Sequence, residues 1–187
     1  MNIEFSTKLL VAAISLASFS TFERSTDAQT AYMTDRVNFY CGEFTDDTGE
    51  TMPATMAYVP QRKASVSIIG WKSNHIPSWD AQRRCDTASP KFQAFYEDGR
   101  LNYLTTGVNN GQDIICAAVE TGQPCKPEDQ LFQVKASDDP DAVLKGLMGI
   151  IEGAATSGEP IYQSSDEKIY VSMDKFLEAA PVVEASE

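Results

Sequence analysis

Apolar and polar positions change their period several times along this chain, and each change marks a new element. Val37, Phe39 and Cys41 alternate with Asn38, Tyr40 and Gly42, the period-two pattern of a half-buried strand. Cys41 therefore shares the apolar face. Asp46, Asp47, Thr48, Gly49 and Glu50 make a polar turn. Ala54 to Val59 and Ala64 to Trp71 then read as two further strands, separated by Pro60, Gln61, Arg62 and Lys63. The opening is predicted to be an antiparallel meander.

The period lengthens from Ser78, which is expected to start a helix with Asp80 favoured in its first turn by the helix dipole. Ala81, Cys85, Ala88, Phe92, Phe95 and Tyr96 recur at helical spacing and form one apolar stripe that includes Cys85. Pro90 removes a backbone donor and disfavours helix at Ser89, so two helices or a kink are expected there. Asp98 and Gly99 end the element.

Leu101 to Thr106 and Gln112 to Val119 are strands, and the Asn110-Gly111 pair between them suits a tight hairpin turn because it accepts positive φ. A turn at Thr121, Gly122, Gln123 and Pro124 leads to a strand over Leu131 to Lys135. Asp139 is a good N-cap with Pro140 at the first helical position. The helix they open buries Val143, Leu144, Leu147, Met148, Ile151, Ala154 and Ala155 and ends near Gly158. Ile161 to Gln163 and Lys168 to Ser172 suggest a short final hairpin, followed by a short helix and a frayed acidic tail.

These elements predict a single α+β domain, a mainly antiparallel sheet of about five to seven strands with the two main helices on one face. Residues 1–28 are read as a signal peptide, 29–155 as the domain, and 156–187 as the terminal hairpin, short helix and tail. The signal rests on one basic residue, Lys8, before an apolar run from Leu9 to Phe19. That length suits a signal of about 7–15 apolar residues and is short for a transmembrane helix. Cleavage after Ala28 has small residues at both critical positions, Thr26 and Ala28.

Charge narrows the choice of partners. The chain carries 15 basic and 27 acidic residues. The signal removes Lys8 and Arg24 against Glu4, Glu23 and Asp27, which leaves the mature chain strongly acidic. Nucleic acid and anionic membrane surfaces both call for a basic patch that this composition does not advertise. Membrane association is therefore expected to be peripheral at most, or through an uncleaved signal. Four cysteines in an exported chain point to two disulfides formed in an oxidising compartment, the periplasm or the thylakoid lumen. Cys41 and Cys85 share apolar faces of strand and helix, and Cys116 and Cys125 stand nine residues apart around a turn. That pairing is favoured, although four cysteines allow three.

Candidate chemistry is sparse, and no cofactor or metal site is expected. His75 is the single histidine, so a histidine-based metal cluster cannot be built, and no Gly-x-Ser-x-Gly elbow supplies a nucleophile for it. Ser165 with Lys168 and Ser172 with Lys175 match Ser-x-x-Lys, but the companion Lys-Thr-Gly is absent. No Cys-x-x-Cys occurs. Asp46, Asp47 and Glu50 lack the ligand spacing of a calcium loop and read as a solvated turn. Asp138, Asp139 and Asp141 read as helix-capping charges.

One stretch suggests binding. Trp71 and Trp79 bracket a loop with Asn74 and His75 between them, which exposed could dock a partner or a sugar ring. The competing reading puts Trp71 in the core at a strand end and Trp79 as a staple at the helix start, the commoner fate of large aromatics.

Several spaced motifs resemble the cyanobacterial circadian oscillating polypeptide family: Gln82-Arg83-Arg84-Cys85, Phe92-Gln93-Ala94-Phe95, Gly99-Arg100-Leu101-Asn102-Tyr103-Leu104-Thr105-Thr106-Gly107 and Asn110-Gly111-Gln112-Asp113-Ile114-Ile115-Cys116. Cys41, Trp71, Cys125, Leu131-Phe132 and Asp139-Pro140 extend the likeness to about residues 37–150, with Pro90 as a departure. The resemblance implies an exported or membrane-associated protein of a photosynthetic bacterium whose abundance follows the daily cycle. It implies no reaction.

The expected function is a non-catalytic, disulfide-stabilised module that binds a protein or envelope component. The alternative is a small extracytoplasmic enzyme of hydrolase type, with polar groups converging in a pocket. N-terminal sequencing of the protein from its native source should find Gln29 as the first residue; an intact Met1 terminus in cytoplasmic extract would overturn the export reading.

Overall fold

Eight strands and three α-helices carry the pattern in the computed structural model, which describes residues 36–72, 79–154 and 168–183. The expected signal, Ser78, Gly158 and the segment Ile161 to Gln163 lie outside the described residues. Strands β1 (Asn38–Thr45), β2 (Thr51–Val59) and β3 (Ala64–Gly70) form the meander. Helix α1 (Ala81–Glu97) crosses to a second meander of β4 (Tyr103–Asn109), β5 (Gln112–Ala118) and β6 (Gln130–Gln133). Then come α2 (Pro140–Ala154), β7 (Tyr170–Ser172), α3 (Met173–Ala179) and β8 (Val182–Val183).

The domain is α+β and every strand pair is antiparallel, with one difference from the expected arrangement. The strands form two four-stranded sheets, ordered β1-β2-β3-β8 and β6-β5-β4-β7, in place of one sheet. Each meander stays whole, and the chain's end serves both. Strand β7 pairs with β4, while β8 returns to β3. Helix α1 packs mainly against β1 and β2 and also meets β6, while α2 packs against β4, β5, β7 and α3, so the two main helices lie mainly on different sheets. One continuous core runs through both layers, from Phe39, Val59 and Val66 through Phe92 to Leu104, Ile115, Leu144 and Phe176.

Local chemistry explains the turns. At Asn110 and Gly111 φ is 51° and 76°, so Asn109 faces Gln112 across a two-residue turn with positive φ at both positions. The twist of that turn matches the strands, and β4 therefore runs past Thr106 to Asn109. Asp80 caps α1, its Oδ1 accepting from the Arg83 amide at 2.8 Å. The helix thus begins at Ala81, not at Ser78. It also passes through Pro90 as one helix and not as two. Pro90 and Asp86, whose carbonyl loses its donor, are both exposed, so water can satisfy that carbonyl. On either side, Cys85 and Phe92 are fully buried and hold the helix to its sheet. Asp139 accepts from the Asp141 amide at 2.9 Å and starts α2 as anticipated. Arg62, in the β2–β3 turn, donates to the carbonyls of Leu177 and Ala180 at 2.8 and 2.7 Å and ties that turn to the end of α3.

Both disulfides form as favoured from the sequence. Cys41–Cys85 joins β1 to α1 with Cα atoms 5.4 Å apart, and Cys116–Cys125 closes the loop after β5 at 5.6 Å. The second bridge lies across Gly107 of β4. A Cβ there would sit 2.6 Å from the Cys125 Cβ, so the strand needs glycine at this point. The chain-entropy model assigns about 4 kcal/mol to the 44-residue loop and about 2.5 kcal/mol to the 9-residue one. Urea unfolding should rank the pairs accordingly, with Cys41→Ala/Cys85→Ala costing more stability than Cys116→Ala/Cys125→Ala. Gly107→Ala should cost about 1–3 kcal/mol by overpacking against an intact bridge.

Candidate functional site

Two tryptophans eight positions apart in sequence line one cleft, formed between α1, β6 and the segment that follows β6. Its volume is about 380 Å³, within the range of roughly 300–1,000 Å³ typical of small-molecule sites. Trp71, Ala88, Leu131, Phe132 and Val134 provide its apolar surface.

Trp71 is a floor residue and also a core residue, only 4% exposed. Its indole meets Phe132 edge-on at 5.2 Å, and its Nε1 donates to Thr55 Oγ1 at 3.1 Å. Thr55 in turn shares a hydrogen bond with Ser89 of α1 at 3.0 Å. Both hydroxyls are buried, and this short chain satisfies them where an unpaired hydroxyl would be costly. Trp79 is half-exposed just before the α1 cap, with the Arg83 guanidinium 5.0 Å from its ring centre. The core reading therefore describes Trp71, while Trp79 retains a face toward the cleft. Asn74 and His75 lie outside the described residues.

Three cations line the same cleft: Arg84 and Lys91 on α1, and Lys135 after β6. Arg84 stacks on the Trp71 ring at 5.4 Å and donates to the Lys72 carbonyl at 3.1 Å. Burial pushes its guanidinium below the ordinary value, against the opposing pull of Asp138 and Asp80. Lys91 Nζ reaches the Gln130 carbonyl at 3.5 Å. Gln112, Gln130 and Gln133 add amides to the lining. Among the described lining residues there is no carboxylate.

The other sequence candidates have structural work. Asp46 organises the β1–β2 turn, accepting from the amides of Thr48 at 2.9 Å and Glu50 at 3.1 Å, and pairs with Lys72. The bond from Lys72, then that from Thr48, holds the Asp46 carboxyl well below the usual carboxylate range. Ser172 caps α3 by accepting from the Lys175 amide at 3.4 Å, which accounts for that Ser-x-x-Lys match. Sequence reasoning missed Arg84, Lys91, Lys135 and Phe132 as a group. A signal was present for two of them: Arg84 and Lys91 are seven residues apart, two turns along one helix face, with Thr87 and Ala88 between.

The family model of circadian oscillating protein COP23 matches residues 38–178. No curated protein and no solved structure gives a significant match.

The two indoles should separate spectroscopically. With Trp79→Phe, the remaining emission from Trp71 should be blue-shifted and resist iodide and acrylamide; with Trp71→Phe, the Trp79 emission should be readily quenched. Trp71→Ala should destabilise the fold by about 3–5 kcal/mol, whereas Trp79→Ala should cost far less.

Proposed function

This chain belongs to the circadian oscillating protein COP23 family, and we propose that it is an exported, non-catalytic binding module whose recognition site is the tryptophan-flanked cleft between α1 and β6. The observation that carries this reading is the composition of the cleft: aromatic faces, side-chain amides and fixed cations gathered in one concave surface. These groups bind and orient. General acid–base pairs are most often built from carboxylates or histidine, and neither stands among the described lining residues. The family's description names an oscillation and no reaction.

Export is supported by the pair of disulfides, which persist in oxidising compartments, and by the signal-like opening of the chain. Among the described residues no helix is long and apolar enough to cross a membrane. The periplasm or thylakoid lumen is the compartment we infer, with a protein or envelope component as the partner and any membrane attachment peripheral or through an uncleaved signal.

The test is recovery from the native organism. Tagged full-length protein should co-purify with a defined envelope component, and Trp79→Ala, which leaves the core intact, should reduce that recovery several-fold. Equal recovery by the variant would remove the cleft from the reading, and turnover of a substrate by the purified protein would replace it with the enzyme.

A further inference from the structure

We propose that the cleft takes a small organic anion with a planar apolar body, such as an aromatic carboxylate. This deepens the reading of the cleft as a binding site and rests on it.

Charge is the first argument. The chain carries a formal net charge of −12, yet its cleft is lined by Arg84, Lys91 and Lys135 with no carboxylate among the described lining residues. Cations gathered against low-dielectric walls focus a positive field into the space they enclose. Asp138 and Asp80 act on Arg84 from outside the lining. Asp80 is engaged in the α1 N-cap, and Asp138 is an exposed loop residue that accepts from the Ser137 hydroxyl. Lys72 and its carboxylate partners Asp46 and Glu50 form a separate exposed cluster that does not line the cleft.

Shape is the second argument. The floor is aromatic, Trp71 edge-on to Phe132 with Arg84 over its ring, and half-exposed Trp79 is also on the lining. Aromatic pairs gain from offset or edge-on contact beyond the area they bury, so a flat ring suits this floor better than a branched chain. A volume of about 380 Å³ holds one or two fused rings with an acidic group, whether free or carried by an envelope component. The amides of Gln112, Gln130 and Gln133 can complete hydrogen bonding around the acidic oxygens.

Calorimetric titration of the purified full chain tests the assignment with four probes: 1-naphthoate, neutral 1-naphthamide, acetate, and a polyglutamate peptide. Naphthoate should bind at least about tenfold more tightly than naphthamide or acetate, and its affinity should fall with added salt. Lys91→Gln/Lys135→Gln, two partly exposed positions whose change should spare the core, should lower naphthoate affinity about tenfold and leave naphthamide unchanged. Equal affinity for naphthoate and naphthamide, indifference to the double substitution, or tighter binding of polyglutamate would each overturn the proposal. The two readings fail separately. If Trp79→Ala abolishes recovery of the envelope component while naphthoate shows no charge preference, the cleft binds something else and only this proposal falls; if Trp79→Ala leaves recovery untouched, the functional reading itself is lost.

Discussion

Helix α1 is the piece that makes one domain of two sheets. On one side the Cys41–Cys85 bridge and the Thr55–Ser89 hydrogen bond fasten it to β1 and β2. On the other, Phe92 stacks between Phe39 of the first sheet and Phe132 of the second, at 5.9 and 6.4 Å. Among the described residues neither four-stranded sheet pairs with the other, so α1 and the shared side-chain core carry the coupling. A covalent tie at one point of the helix and a fully buried ring two turns later leave it little freedom to shift along the sheet. That is also why an internal proline is tolerated, since packing on both flanks outweighs one lost backbone bond on the exposed side.

The cleft follows from the same arrangement. The α1 face that is not pressed on β1 and β2 runs alongside β6, and the space between them is floored by Trp71 and Phe132. Trp71 links the two regions physically, because its ring faces the cleft while its Nε1 bonds into the buried Thr55–Ser89 pair. The smaller apolar cluster of Trp71, Ala81, Cys85 and Ala88 thus supports the cleft from beneath, with the disulfide at its back. A floor supported in this way is held in place, which would leave little ordering cost to a ligand of the proposed site.

Charge distribution completes the picture. Acidic residues dominate the chain, but several are consumed in caps and turns, such as Asp46, Asp80 and Asp139, where they accept backbone amide bonds. The cations are more selectively placed. Arg62 ties the β2–β3 turn to the end of α3, Arg100 pairs with Asp129 beside Phe95, and Arg84, Lys91 and Lys135 converge on the cleft.

Much of this was legible in the sequence, wherever the determining physics is local. Period-two alternation identified the strands, Asn110-Gly111 the tight hairpin, Asp139-Pro140 the start of α2, and the placement of Cys41 and Cys85 on apolar faces their bridge. Each depends on residues a few positions apart, or on the rule that apolar faces meet. The sequence could not show that the strands divide into two sheets, because alternation says which face is buried and not which strand is the neighbour. It misplaced the start of α1 by reading Ser78 as the cap, where Asp80 makes the bond. It offered Trp71 and Trp79 as an exposed pair or a buried one, and only the packed chain separates them. Above all, Lys135 joins Arg84 and Lys91 through contact between β6 and α1, elements separated by the whole β4–β5 hairpin. Convergence of that kind is a property of tertiary packing, and the one-dimensional pattern carries no term for it.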